Sequence, residues 1–131
     1  GYVLQTLARD YGRLVGTVVS AGIFAVLHLM NPGRSVAAFL GIFLAGLYFA
    51  AAFLLSGRLY LPIAAHFAWN WLLGPFFGLP VSGVQMPSVL HTTVAGPSAI
   101  TGGSFGPEAG VLGWIALAIN LPLLVLATRR R

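Results

Sequence analysis

Three histidines occur in the 131-residue chain, and two of them interrupt apolar runs. His28 falls late in IFAVLHLMNPG, and His66 falls inside IAAHFAWNW. Imidazole takes or gives a proton near neutral pH. Asn70 offers an NH2 donor that can steady an oxyanion. Phe24 and His28 are spaced i, i+4, and so are His66 and Asn70. On a helix that spacing puts each pair on one face, one turn apart. Two imidazoles and an amide suit acyl transfer or hydrolysis, provided something activates the nucleophile. The chain has no cysteine, and no serine is read as the nucleophile of a GxSxG elbow. A water nucleophile would need a carboxylate base or a metal. Two histidines alone make an incomplete metal site, because catalytic zinc usually has three protein ligands.

The elements that must carry these residues are apolar. Four segments stand out: residues 14–30, 36–56, 61–78 and 111–127, none containing Asp, Glu, Lys or Arg. A helix needs ~20 residues to cross the hydrocarbon, with a range of ~17–25. All four qualify, and their backbone polar groups must be satisfied internally, which favours helices. The runs are continuous and do not alternate, which argues against a closed β-barrel. The expected fold is therefore all-α, a polytopic transmembrane bundle of about four membrane helices forming one domain over residues 1–131. Residues 79–110 are rich in Gly, Pro, Ser and Thr and are read as one long loop. Gly41 with Ala45, and Gly16 with Ser20, make small-xxx-small pairs for close helix approach.

Composition agrees. The chain is 58% hydrophobic and 7% charged, against roughly 25% charged residues in soluble domains. The net charge of +5 comes from seven arginines, Asp10 and Glu108. The arginines flank apolar runs, which points to membrane orientation and away from nucleic acid. Placing Arg129–Arg131 in the cytoplasm puts Arg9, Arg13 and Arg58 on that side too, leaving only Arg34 outside. The loop 79–110 is then non-cytoplasmic. Asp10 is read as lying in a loop before the first segment. Without cysteine there is no disulfide framework.

An ionisable or polar residue inside a membrane is costly and usually faces the bundle interior, so it marks a functional site by default. A membrane histidine can also serve only as a helix–helix hydrogen-bonding group. His91 is read as a solvated loop residue, Asn120 before Pro122 as a kink or packing group, and Phe24, Trp69 and Trp71 as packing or interface residues. One difficulty concerns depth. At ~1.5 Å per residue, His28 lies ~21 Å along its segment and His66 ~8 Å along its own. Straight parallel helices would separate the rings, so an offset or broken first helix is expected.

Phe24-Ala-Val-Leu-His28 and His66-Phe-Ala-Trp-Asn70, with one apolar helix between them, resemble the FxxxH and HxxxN motifs of the CPBP family, the CAAX protease and bacteriocin-processing membrane proteases. HLMNPG, SGRLYLPIAAHFAWNW, FGLPVSG and GGSFGPEAG are similar to the surrounding text of that family. The resemblance covers nearly the whole chain. The family's first motif, EExxxR, is absent, and GYVLQTL is similar to the residues directly after the Arg of that motif. Gly1 opens the chain and no signal peptide is visible. Residues 1–131 are therefore expected to be a C-terminal portion without the catalytic glutamate. Neither Asp10 nor Glu108 matches that motif.

The resemblance implies an intramembrane endopeptidase. In that family His28 would share a water with the motif glutamate, His66 and Asn70 would hydrogen-bond the oxyanion, and Phe24 would pack beneath the site. It implies a membrane protein or peptide substrate, a lipid bilayer around the chain and no nucleic acid. The expected location is a bacterial cytoplasmic membrane, with the C-terminus cytoplasmic. No cofactor is expected, with a divalent metal as the open alternative. Two other readings stand beside this one: a non-catalytic membrane scaffold or immunity-type protein, and a bis-histidine haem protein with His28 and His66 as axial ligands.

Overall fold

The computed structural model describes residues 1–129; Arg130 and Arg131, two of the arginines used for orientation, lie outside the described residues. The chain is helical, with a single isolated bridge between Val81 and Val84 among the described residues. It opens with α1 (Tyr2–Tyr11) and α2 (Arg13–His28). Gly12, at φ 89°, breaks the two apart in a conformation that residues with a Cβ rarely adopt. α1 folds back on α2 so closely that a Cβ at Gly16 would lie 2.7 Å from the Ala8 backbone nitrogen. Asp10 is thus helical, not in a loop, and it pairs with Arg9 at 2.7 Å.

α3 (Val36–Ser56) is the central helix. Ser35 caps it by accepting a hydrogen bond from the Ala38 N–H at 3.0 Å. Gly57, at φ 66°, ends it in the left-handed conformation usual for a helix stop. α2, α4 (Tyr60–Trp71) and α6 (Val111–Arg129) all pack on α3. Gly46 lets α2 approach, since a Cβ there would meet the Ala21 Cα at 2.9 Å. Ala25, Ala38, Ile42, Phe105 and Ala109 form the buried core where α2, α3 and the returning loop meet.

α3 and α6 are long and apolar enough to cross a membrane. α2 has 16 residues and α4 has 12, so two of the four expected spans are shorter than the sequence suggests. α2 stops at His28. Beyond α4 the chain widens into a π-type turn, Leu72–Phe76, around Pro75. Pro75 has no N–H for the Trp71 carbonyl, and Phe77 donates to Leu72 at 2.9 Å instead. α6 presents Ile115, Ile119, Leu123 and Leu126 outward, each about half exposed, at helical spacing. In water that stripe would be unfavourable; against lipid it is the expected surface.

Residues 79–110 are not free. Ser82 (φ 47°) and Gly83 (φ 81°) make a tight turn inside the Val81–Val84 bridge. The Gly83 N–H donates to the Phe105 carbonyl at 2.7 Å, and the Asn31 amide donates to the Ser82 carbonyl at 2.8 Å. The chain then passes through a short α5 (Ser98–Thr101) and two 3-10 turns, Gly103–Phe105 and Pro107–Ala109. The second turn lies against α3 at Gly41, where an added Cβ would overlap the Glu108 carbonyl oxygen.

Candidate functional site

The two motif histidines come together on one aromatic ring. The Phe24 ring lies 4.5 Å from the His28 ring and 5.6 Å from the His66 ring, centroid to centroid. Phe49 of α3 adds a second contact to His66 at 4.9 Å. The depth difficulty resolves because α2 ends at His28 whereas α4 carries His66 in its second turn. The two helices are offset along α3.

The Phe24 carbonyl also orients His28. His28 Nδ1 lies 2.7 Å from that oxygen. A carbonyl only accepts, so Nδ1 carries the hydrogen, and Nε2 of the neutral ring is left as the proton acceptor. The i, i+4 spacing of FxxxH is what permits both contacts: the ring supports the imidazole from the side, and the backbone one turn earlier fixes its tautomer.

Both histidines line a cavity of about 380 Å³. Its walls are mostly apolar, with Tyr48 and Phe49 from α3 and Trp69 and Leu72 from the α4 end. Asn70 does not line it. Asn70 sits one turn beyond His66, and its buried Oδ1 has no hydrogen-bond partner among the described residues. The amide that lines the cavity is Asn120 of α6, which donates to the Ala116 carbonyl at 2.8 Å. Asn120, read from the sequence as a kink or packing group before Pro122, also lines the site.

Sequence reasoning placed Glu108 outside the site; the fold brings it in. Glu108 lines the same cavity and is 8% exposed. Its Oε1 accepts from the Trp69 indole at 3.2 Å, and its Oε2 accepts from the Ser82 hydroxyl at 3.0 Å and from the Ser82 N–H. Its own carbonyl accepts from the Trp114 indole at 3.0 Å. Burial pushes the Glu108 carboxyl above the usual carboxylate range, while the Ser82 and Trp69 donors and the nearby His28 pull it back. The available signal was that the chain has only two acids, and Asp10 is spent on its neighbour Arg9.

Two other residues settle simply. His91 is exposed, away from the cavity. Residues 102–106, GGSFG, spell GxSxG, a match that the sequence reading passed over. Ser104 is exposed and lies in a 3-10 turn, not at a strand-to-helix elbow, so it is no activated nucleophile. Among the described residues no three of His, Cys, Asp and Glu form a set able to hold a metal ion.

Comparison with known proteins adds the family. The type II CAAX prenyl endopeptidase Rce1-like family matches residues 1–72, from α1 to the end of α4, including both the FxxxH and HxxxN stretches. No curated protein and no solved structure matched the chain. Together with this match, the two helices long and apolar enough to cross a membrane point to an integral membrane protein. The match covers more than half of the chain, and the chain belongs to the type II CAAX prenyl endopeptidase Rce1-like family, a family of membrane-embedded proteases.

Proposed function

We propose that this chain carries the histidine half of an intramembrane endopeptidase site, with His28, His66 and Asn70 in the reaction and Phe24 as their support. The carrying observation is the shared Phe24. It holds two imidazoles on one ring and fixes the His28 tautomer so that Nε2 can accept a proton. In the reaction, water attacks the scissile carbonyl carbon as His28 and a carboxylate take its proton. His66 and Asn70 donate to the oxyanion. The proton then passes to the departing amine as the C–N bond breaks, leaving a carboxylate and an amine. Asn70 lies off the cavity that the histidines line, one turn from His66, so its part in the reaction rests on the HxxxN resemblance.

Residues 1–131 contain no EExxxR sequence, and the family resemblance assigns the activating carboxylate to that motif. The reading therefore predicts cleavage of a prenylated CAAX peptide, in detergent micelles, by a polypeptide that joins such a motif to this chain. It predicts none by residues 1–131 alone. Full cleavage after His28→Ala would sink it.

Orientation belongs to the same proposal. The loop 79–110 touches the α2–α3 connection through Asn31 and Ser82, on the Arg34 side of the bundle. Arg9, Arg13 and Arg58 stand at the other ends of those helices. This supports a cytoplasmic arginine face with the loop opposite. The chain has no cysteine, so a Ser88→Cys variant labelled from outside intact cells by an impermeant maleimide tests it. Labelling only after lysis would reverse the orientation.

A further inference from the structure

Glu108 lies outside the segment that matches the family, yet it is the most heavily bonded carboxylate in the structure. Three donors from two distant elements converge on it: the Ser82 N–H and hydroxyl from the loop turn, and the Trp69 indole from α4. Its backbone is held separately by Trp114 of α6 and is fitted to α3 by Gly41. A buried carboxylate needs such partners, because leaving it unpaired is costly. That requirement explains its bonds but not its position, which is the wall of the cavity containing His28 and His66.

Trp69 links the two. On α4 it lies three residues after His66, next to it on the same face, and one residue before Asn70. A carboxylate that fixes the Trp69 indole therefore fixes the turn of α4 between the two HxxxN residues. The three bonds occupy Oε2 twice and Oε1 once, which leaves one of the carboxylate's four acceptor directions unused by these donors.

We propose that Glu108 is a positioning residue of the histidine site: pinned by Ser82 and Trp69, it locks the His66–Asn70 turn and holds a carboxylate in the wall that faces His28. This rests on the endopeptidase reading above for its meaning in catalysis, but its geometry stands without that reading. It also assigns a purpose to the loop 79–110, which is to deliver Ser82 and Glu108 to the bundle.

The test uses histidine carbethoxylation, which reads the accessibility and basicity of each ring without a substrate. The protein in detergent micelles is treated briefly with diethyl pyrocarbonate, and modification of His28 and His66 is measured by mass spectrometry relative to exposed His91. Glu108→Gln keeps the side-chain shape and removes the charge. A several-fold change in the His28 and His66 ratios, at nearly unchanged Tm, is expected, with Glu108→Asp restoring part of it. Ser82→Ala and Trp69→Phe each remove a donor and leave the carboxylate, so they carry the test if Glu108→Gln does not fold; smaller changes in the same direction are expected. Unchanged ratios in the variants that fold overturn the proposal, whatever happens to activity. In the cleaving polypeptide, Glu108→Gln should lower kcat about 10- to 100-fold with KM within about twofold. Failure of the wild type to cleave, with the ratios changed as expected, refutes the endopeptidase reading and leaves the positioning role standing.

Discussion

The cavity wall has two halves, and they are built by different means. α2 and α4 present Phe24, His28 and His66 through helical spacing, so their placement follows from a local period. The other half is Ser82 and Glu108, 26 residues apart in a segment with little regular structure. They meet because the loop folds back on the bundle, Glu108 against Gly41 of α3 and Ser82 against Asn31, with Gly83 tied to Phe105. The helical half depends on residues four apart, and the loop half depends on long-range approaches that converge on the turn carrying Glu108. One substitution on a helix should therefore remove one function, whereas one substitution at the closure point should disturb several groups at once.

The largest effect should separate the halves by chemistry. His28→Ala removes the proton acceptor but keeps the helix, since Ala is the best helix former. Cleavage by the active polypeptide should fall by about 10²- to 10⁴-fold, with Tm little changed. A fall in Tm matching the loss of activity would mean that His28 is a packing group, and the helical half would lose its claim to the chemistry.

Gly41→Ala should show the opposite pattern. The added Cβ would overlap the Glu108 carbonyl oxygen and lie 2.8 Å from the Trp114 indole nitrogen. Both neighbours are fixed, so the turn at 107–109 must move. A loss of about 1–3 kcal/mol is expected, as in other overpacked cores, and is read as a lower Tm in detergent. Gly22→Ala is the control: an added Cβ there meets nothing, and the change should be neutral or stabilising by up to about 1 kcal/mol. Equal behaviour at the two sites would show that the closure at Gly41 is loose.

The same division explains what could be read in advance. Four apolar runs gave an all-helical membrane bundle, because hydropathy and length need no tertiary information. FxxxH and HxxxN were legible because their spacing is helical. The extent of two helices was not: α4 yields to a π-type turn at Pro75, and α2 ends at His28, while the apolar character continues past both. Glu108 was missed because its role is created by Gly41, Ser82 and Trp69, which are 67, 26 and 39 residues away in sequence. No local pattern connects them. Asn70 shows the reverse: its spacing from His66 was read easily, but its side chain lies off the cavity that the histidines line.

A smaller effect would sharpen the helical half. Phe24→Leu keeps an apolar group and the Phe24 carbonyl bond to His28, but loses the ring shared by both imidazoles. A change of under about 1.5 kcal/mol in stability is expected. Activity should fall more than that stability change implies, because ring support is lost and tautomer control is kept. Phe24→Leu with full activity would show that the carbonyl alone orients His28.

The smallest expected effect concerns the charge on Glu108. Burial raises its folded carboxyl above the ordinary 4.5, so the folded state holds that proton more tightly than the unfolded one. The resulting stabilisation is complete below the ordinary value and is lost as pH rises through the folded value. Glu108→Gln cannot titrate, so it lacks this dependence. The Tm advantage of wild type over Glu108→Gln should therefore be largest below pH 4.5 and shrink as pH rises. The titratable groups on the elements around Glu108 are His28 from α2, Tyr48 from α3 and His66 from α4, with none from α6 lining the cavity. Both proteins share them, so the difference isolates Glu108 and whatever it couples to. An advantage that grows with pH would mean that the Ser82 and Trp69 donors and His28 outweigh burial. In that case the loop half would be an anion site held by its donors, and Ser82→Ala, which removes the hydroxyl and keeps the backbone N–H, would reduce the growth.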